Sequence, residues 1–233
     1  MILATARLQD RTGEGVRIAV VDSGVHAGHP HVGDVSGGVA IGPGGDVSGD
    51  YVDRLGHGTA VAAAIREKAG DADLLAVRVF DRSLSTTGEA LVAAIEWSAR
   101  QGVQIINLSL GTSNQEHARA LAGAVAVASQ LGAIVVSAAP QQDRPWLPGG
   151  LPGVVAVDVD WQCSRDECRV IDASESGIRL SASGYPRPIP GVPVERNFSG
   201  LSFAVANATG LLALLLEGAP AADLAALSDR LHD

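Results

Sequence analysis

VRIAVVDSG, residues 16–24, decides the fold. The run VRIAVV over 16–21 is apolar on both of its alternating faces, which reads as a strand buried in a parallel sheet. Asp22 follows at the carboxyl end of that strand, where open α/β sheets build their sites. Two later segments repeat the glycine-flanked setting: GHGTA at 56–60 supplies His57 and GLSFA at 200–204 supplies Ser202. His57 stands before the alanine-rich run TAVAAAIRE and Ser202 before FAVANATGLLALLL, so both sit at helix starts.

These three residue types suit one chemistry. A serine hydroxyl is a weak nucleophile until an imidazole takes its proton, and the imidazole works only when a carboxylate fixes its tautomer and stabilises the imidazolium. The reading therefore makes Ser202 the nucleophile, His57 the base and Asp22 its orienting group. A helix start at Ser202 adds free backbone N–H groups and a positive dipole end beside a developing oxyanion.

Outward from these segments, strand and helix signals alternate. Strands are expected over 16–21, 74–79, 103–109, 133–138 and 154–159, and helices over 58–68, 87–101, 115–131, 202–217 and 221–231. The alternation predicts an α/β fold, a three-layer parallel sheet with helices on both faces, in a single domain over 1–233. The glycine-rich stretch 33–50 reads as a flexible surface loop, and 184–198, with four of the 11 prolines, as an extended surface segment running towards Ser202.

Composition bounds the function. A 46% hydrophobic chain with only 3% aromatic residues implies an aliphatic, alanine-rich core. The net charge of −9 and the lack of a basic run argue against nucleic acid as a partner. No apolar run reaches the roughly 18 residues of a membrane span, and the start MILATARLQDR lacks a cationic segment followed by an apolar one, so the expected location is the cytoplasm. Lys68 is the sole lysine among 17 basic residues, a composition that suggests a GC-rich bacterial genome.

Seven segments in order, DSGVHAGHP (22–30), GHGTAVAAAI (56–65), LLAVRVF (74–80), IEW (95–97), IINLSLG (105–111), LPGVVAVDVD (151–160) and GLSFAVANATG (200–210), carry a resemblance to the subtilisin-like serine proteases, the subtilases. The order Asp, His, Ser is that family's own. The resemblance implies a peptide or protein substrate held as an extra strand between Leu84, Ser85 and Thr86 on one side and Ser109, Leu110 and Gly111 on the other. It puts Trp146, before the turn Leu147-Pro148-Gly149, in the primary specificity pocket or, alternatively, packed outward over the core. It implies Gln141 as the oxyanion amide, where relatives carry Gly-Asn and this chain Pro140-Gln141; with the loop in another register the amide comes from Gln142 or is missing.

Other departures bear on stability. The stretch between His57 and Leu74 is shorter than the calcium-binding insertion of relatives, so no metal and no cofactor are expected. His26, His29 and His31 lie close in sequence without a Cys or carboxylate to complete a metal-ligand spacing. Cys163 and Cys168 flank SRDE between VVAVDVDW and RVIDAS; facing each other across a hairpin they form a disulfide, while a reducing cytosol keeps them free thiols. Asn207 belongs to a glycosylation sequon but falls inside the last apolar helix, where it packs. The expected function is a serine endopeptidase working through an acyl-enzyme, an intracellular processor of a precursor peptide acting with a partner protein in its pathway. The alternative is a peptide-binding domain with weak or no activity, because the oxyanion segment has changed.

Overall fold

A computed structural model of the chain describes residues 1–141, 145–174, 176–219 and 223–232. In chain order its strands and helices are β1 (Ile2–Ala4), β2 (Arg17–Asp22), β3 (Gly38–Ile41), β4 (Val47–Ser48), α1 (His57–Arg66), β5 (Asp73–Arg78), α2 (Gly88–Arg100), β6 (Ile105–Leu108), α3 (Ala118–Gln130), β7 (Ile134–Ala138), β8 (Val154–Val159), β9 (Glu167–Ser174), β10 (Gly177–Ala182), α4 (Leu201–Leu216) and α5 (Leu224–His232). The strands of these residues form one sheet in the order β1-β9-β10-β8-β7-β6-β2-β5-β3-β4. Pairing is parallel from β10 through to β3, and antiparallel only at the edges, β1 on β9, β9 on β10 and β3 on β4. The α/β sheet with helices on both faces expected from the alternation is present, with antiparallel margins added.

Side-chain alternation along each inner strand builds the two cores. Ile18 and Val20 of β2 point to the face covered by α1, α4 and α5, whereas Ala19 and Val21 point to the face covered by α2 and α3. The same parity sends Ile105 to the first face and Ile106 and Leu108 to the second. Helix α4 is buried from Phe203 to Leu216 on every side, which is why its sequence is apolar all round rather than striped. Asn207 is likewise buried, its amide donating to the carbonyls of Ser183 at 2.8 Å and Tyr185 at 3.0 Å, a packing role that leaves no room for a glycan.

This topology positions the site. From β2 the chain passes through α1 to β5 on one side, then through α2 to β6 on the other, so the strand order reverses at the β2–β6 junction. A crevice opens at the carboxyl ends of such a pair. Asp22 ends β2 there, and Ser109 follows β6 there.

Two expectations are corrected. The glycine-rich stretch 33–50 holds β3 and β4 rather than forming only loop. Gly38 lets β3 lie against β5, since a side chain there would run into the Ala76 carbonyl. RVIDAS lies in β9, but it does not pair with β8; its hairpin partner is β10, which lies between them. Cys163 and Cys168 are therefore not opposite each other across a hairpin, and both are buried free thiols.

Candidate active site

The parity that buries Ile18 and Val20 under α1 also directs Asp22 towards that helix. Its carboxylate is fully buried; Oδ1 accepts the Ser23 backbone N–H at 2.7 Å and contacts His57 Nδ1 at 2.7 Å. A proton on Nδ1 fixes the imidazole so that its other nitrogen is the basic one. Burial of His57 opposes its charged form, but the hydrogen bond and charge of Asp22, with Asp53 beyond, outweigh it and raise the imidazole pKa above its ordinary value.

His57 is the first residue of α1, and the start of that helix is held by a residue the sequence reading overlooked. Gly56 precedes it in the left-handed region (φ 79°) and offers no side chain to cap the first turn. Asp53 does this instead: its carboxylate accepts from the backbone N–H of Leu55 and Gly56, both at 2.9 Å, from Thr59 N–H at 2.8 Å and Thr59 Oγ1 at 2.6 Å, and from Ser23 Oγ at 2.8 Å. Burial disfavours its ionised form, yet these donors hold its pKa below the usual carboxylate value. Ser23 Oγ in turn accepts the Gly58 N–H at 2.9 Å. One cluster thus satisfies the free donors of the α1 start and locks it to the residue after Asp22. The sequence signal was an acidic residue just before a helix start.

Ser202 lies in the first turn of α4. Its hydroxyl donates to the Ser109 carbonyl at 3.1 Å, and Ser109 Oγ donates back to the Ser202 carbonyl at 3.3 Å. Ser202 and His57 share one cleft, but the hydroxyl is turned to Ser109 rather than hydrogen-bonded to the imidazole. Below it, Asn107 accepts from Thr209 Oγ1 of α4 at 3.0 Å and donates to Ser109 Oγ at 2.9 Å, tying β6 to the nucleophile helix.

The cleft has a volume of about 560 Å³. Leu84, Ser85 and Thr86 line it, as do Ser109, Leu110 and Gly111, with Trp146 beside His57 and Ser202 and Glu89 and His117 also in its walls. A side chain at Gly111 would collide with the Trp146 indole, so this glycine is what lets the ring lie against the Ser109–Gly111 edge. Thr112 and Leu147 hold the two segments together by reciprocal backbone hydrogen bonds of 2.9 and 2.8 Å. Two expected site residues are not in the cleft wall: Asp22, fully buried against His57, and Gln141, which is exposed, with its amide 3.5 Å from the Ala139 carbonyl. Gln142, the alternative amide, lies outside the described residues. His26, His29 and His31 line a separate pocket, and among the described residues no group of three His, Cys, Asp or Glu side chains converges to hold a metal ion.

A family model described as "Subtilase family" matches residues 13–231. The chain belongs to the subtilase family. This subtilase is 32% identical over 228 residues to the thermostable alkaline protease of Halalkalibacterium halodurans, covering 87% of this chain and 57% of that protein. It is 28% identical over 249 residues to subtilisin amylosacchariticus of Bacillus subtilis subsp. amylosacchariticus, covering 96% and 61%. The chain spans about three-fifths of the length of these curated relatives. Among solved structures, sphericase superposes with a TM-score of 0.73 at 25% identity, over 94% of this subtilase and 83% of that chain.

Proposed function

We propose that this subtilase is a serine endopeptidase in which Ser202 attacks the peptide carbonyl, His57 takes and returns the proton, and Asp22 holds His57 in its working tautomer. The observation that carries this reading is the 2.7 Å contact of buried Asp22 with His57 Nδ1, in a cleft whose wall includes Ser202. Before attack the Ser202 hydroxyl turns about its own χ1 bond from the Ser109 carbonyl to the imidazole. The peptide lies between 84–86 and 109–111, so the Ser109 carbonyl is then free to accept from it. Oxyanion charge is taken by the Ser202 N–H at the start of α4, and by Gln141 once its amide leaves Ala139; a contact at 3.5 Å is at the limit of a hydrogen bond and breaks at little cost.

Trp146 fills the primary pocket in this reading and restricts it to Gly, Ala or Ser. Restricted entry suits a protease that trims one precursor peptide better than one that digests protein broadly. Two free buried thiols suit a reducing cytoplasm. A partner protein in the same pathway completes the proposal.

A fluorophosphonate tests it: the reagent is expected to label the parent protein at Ser202, as read by mass analysis of the labelled peptide, and to leave Ser202→Ala unlabelled. An unlabelled parent would favour the second reading, a peptide-binding subtilase domain with little activity. The observations on that side are the Ser202 hydroxyl turned to Ser109 and the Gln141 amide outside the cleft.

A further inference from the structure

A second pocket, of about 300 Å³, begins where the catalytic cleft ends. Phe198 packs edge-on against the His57 ring, centroids 5.9 Å apart, and also lines this pocket, as does Gly56. The pocket gathers His26, His29, His31 and Arg187 over an apolar floor that includes Ala60 and Ala63.

Arg187 and the His29 ring offer the pocket donors. His29 Nδ1 accepts the His31 backbone N–H at 3.2 Å, so the neutral His29 ring carries its proton on Nε2. Arg187 spends one N–H on the His31 carbonyl at 2.9 Å, and among the described residues no carboxylate forms an ion pair with it. The carboxylate in the wall, Asp53, is engaged by the five donors that fix the start of α1. Burial, and after it the charges of Arg187 and His29, push the His31 pKa down. Arg187 and the His29 ring thus face a pocket whose one lining carboxylate among the described residues is already engaged. Its rim is apolar, with Phe198 46% and Ile189 43% exposed.

We propose that this pocket binds an acidic side chain, Asp or Glu, on the part of the substrate that departs after cleavage. The inference rests on the peptidase reading. A peptide held along 84–86 and 109–111 with its scissile bond at Ser202 continues past His57 and Phe198, and the next concavity it meets is this one. The apolar rim covers the residues flanking the acid, and Arg187 and the His29 Nε2–H receive the carboxylate. At a net charge of −9 the whole protein repels acidic peptides, so a preference for one is a local property of the pocket.

Binding tests this apart from catalysis. Fluorescein-labelled peptides with Ala before the scissile bond and Glu, Gln or Lys at each of the first four positions after it are titrated into the Ser202→Ala protein, with affinity read by anisotropy. At one position Glu is expected to bind roughly tenfold more tightly than Gln, and Lys more weakly than either. Arg187→Gln should bring the Glu-to-Gln ratio close to one, and His29→Asn should reduce it in a protein that keeps the arginine. Equal affinity for Glu and Gln at all four positions, no binding of the Glu peptides, or a ratio that survives both substitutions overturns the proposal. Fluorophosphonate labelling of the parent protein reports separately on the peptidase reading.

Discussion

Asp53 touches no part of the catalytic cleft wall, yet it governs where His57 stands and how readily it ionises. Asp53→Asn keeps the shape but replaces an acceptor by an amide that cannot receive every donor now aimed at it. The α1 start loosens, and kcat/KM is expected to fall by up to about 100-fold. Loss of the negative charge also moves the ascending limb of the pH–rate profile to lower pH, a shift that loosening alone would not give. In the parent protein that limb should lie above the ordinary histidine value of about 6.5, because His57 must be neutral to act and its pKa is raised. The linked stability runs the other way: what the raised pKa contributes is fully present below the unfolded value and is lost as pH climbs through the folded one. Gln141→Ala should lower kcat by about tenfold at constant KM. That is less than the roughly 100- to 1,000-fold cost of losing a preorganised amide in a subtilisin, since Gln141 must first leave Ala139. An alanine variant as fast as the parent would assign the oxyanion to the helix start alone.

Close contact between elements sets the next level. Helix α1 meets the end of β2 at Gly58, where a Cβ would be driven into the Gly24 carbonyl and lie 3.1 Å from the Asp22 Cβ. Gly58→Ala should therefore separate helix from strand, cost about 1–3 kcal/mol in urea unfolding and remove most activity; an active, fully stable variant would mean the junction is slack. The inner elements were legible in the sequence for a simple reason. VRIAVV and VVAVDV pack on both faces, the helices between them carry the helical period, and the glycine-flanked Asp22, His57 and Ser202 mark the carboxyl edge. The margins were not legible: β3 and β4 are short and glycine-rich, so their pairing is visible only once β5 is beside them. The misplaced β8–β9 hairpin has the same origin. Neighbours in sequence tend to be neighbours in a sheet, but β10, inserted in parallel beside β8, separates β8 from β9. Asp53 escaped notice because the signal it leaves, an acidic residue shortly before a helix start, does not tell that its carboxylate gathers the donors of that start.

Across the whole molecule, the far end of α1 holds a charge as deeply as its near end holds chemistry. Lys68 is buried beneath Gly210 of α4, its Nζ 3.4 Å from Glu67, which also pairs with Arg165. Burial brings its pKa down to about 8, with Asp166 opposing and Arg187 adding to the fall. A folded value below the unfolded one means that the native state binds fewer protons between about 8 and about 10.4, so stability should rise with pH across that window. Lys68→Met should stabilise the protein by about 1–3 kcal/mol at pH 7 and abolish that rise, as urea unfolding at pH 7 and pH 9.5 would reveal; a destabilised methionine variant would show that the Glu67 pair is worth more than the desolvation it costs. At the opposite end of α4 from Ser202, Arg11 donates to the carbonyls of Leu214, Leu215 and Glu217, while the Glu217 carboxylate receives the N–H groups of Thr12 and Gly13. Helix α4 is thus clamped to a segment made long before it and buried on every side. Asp22 and His57 leave the ribosome well before Ser202, which arrives on α4 after all ten described strands, and the part of the sheet that α4 covers stays bare until then. On the peptidase reading proposed above, a chain halted before α4 has no nucleophile in place, so the hazard of cutting itself or its nascent neighbours begins only once α4 is made.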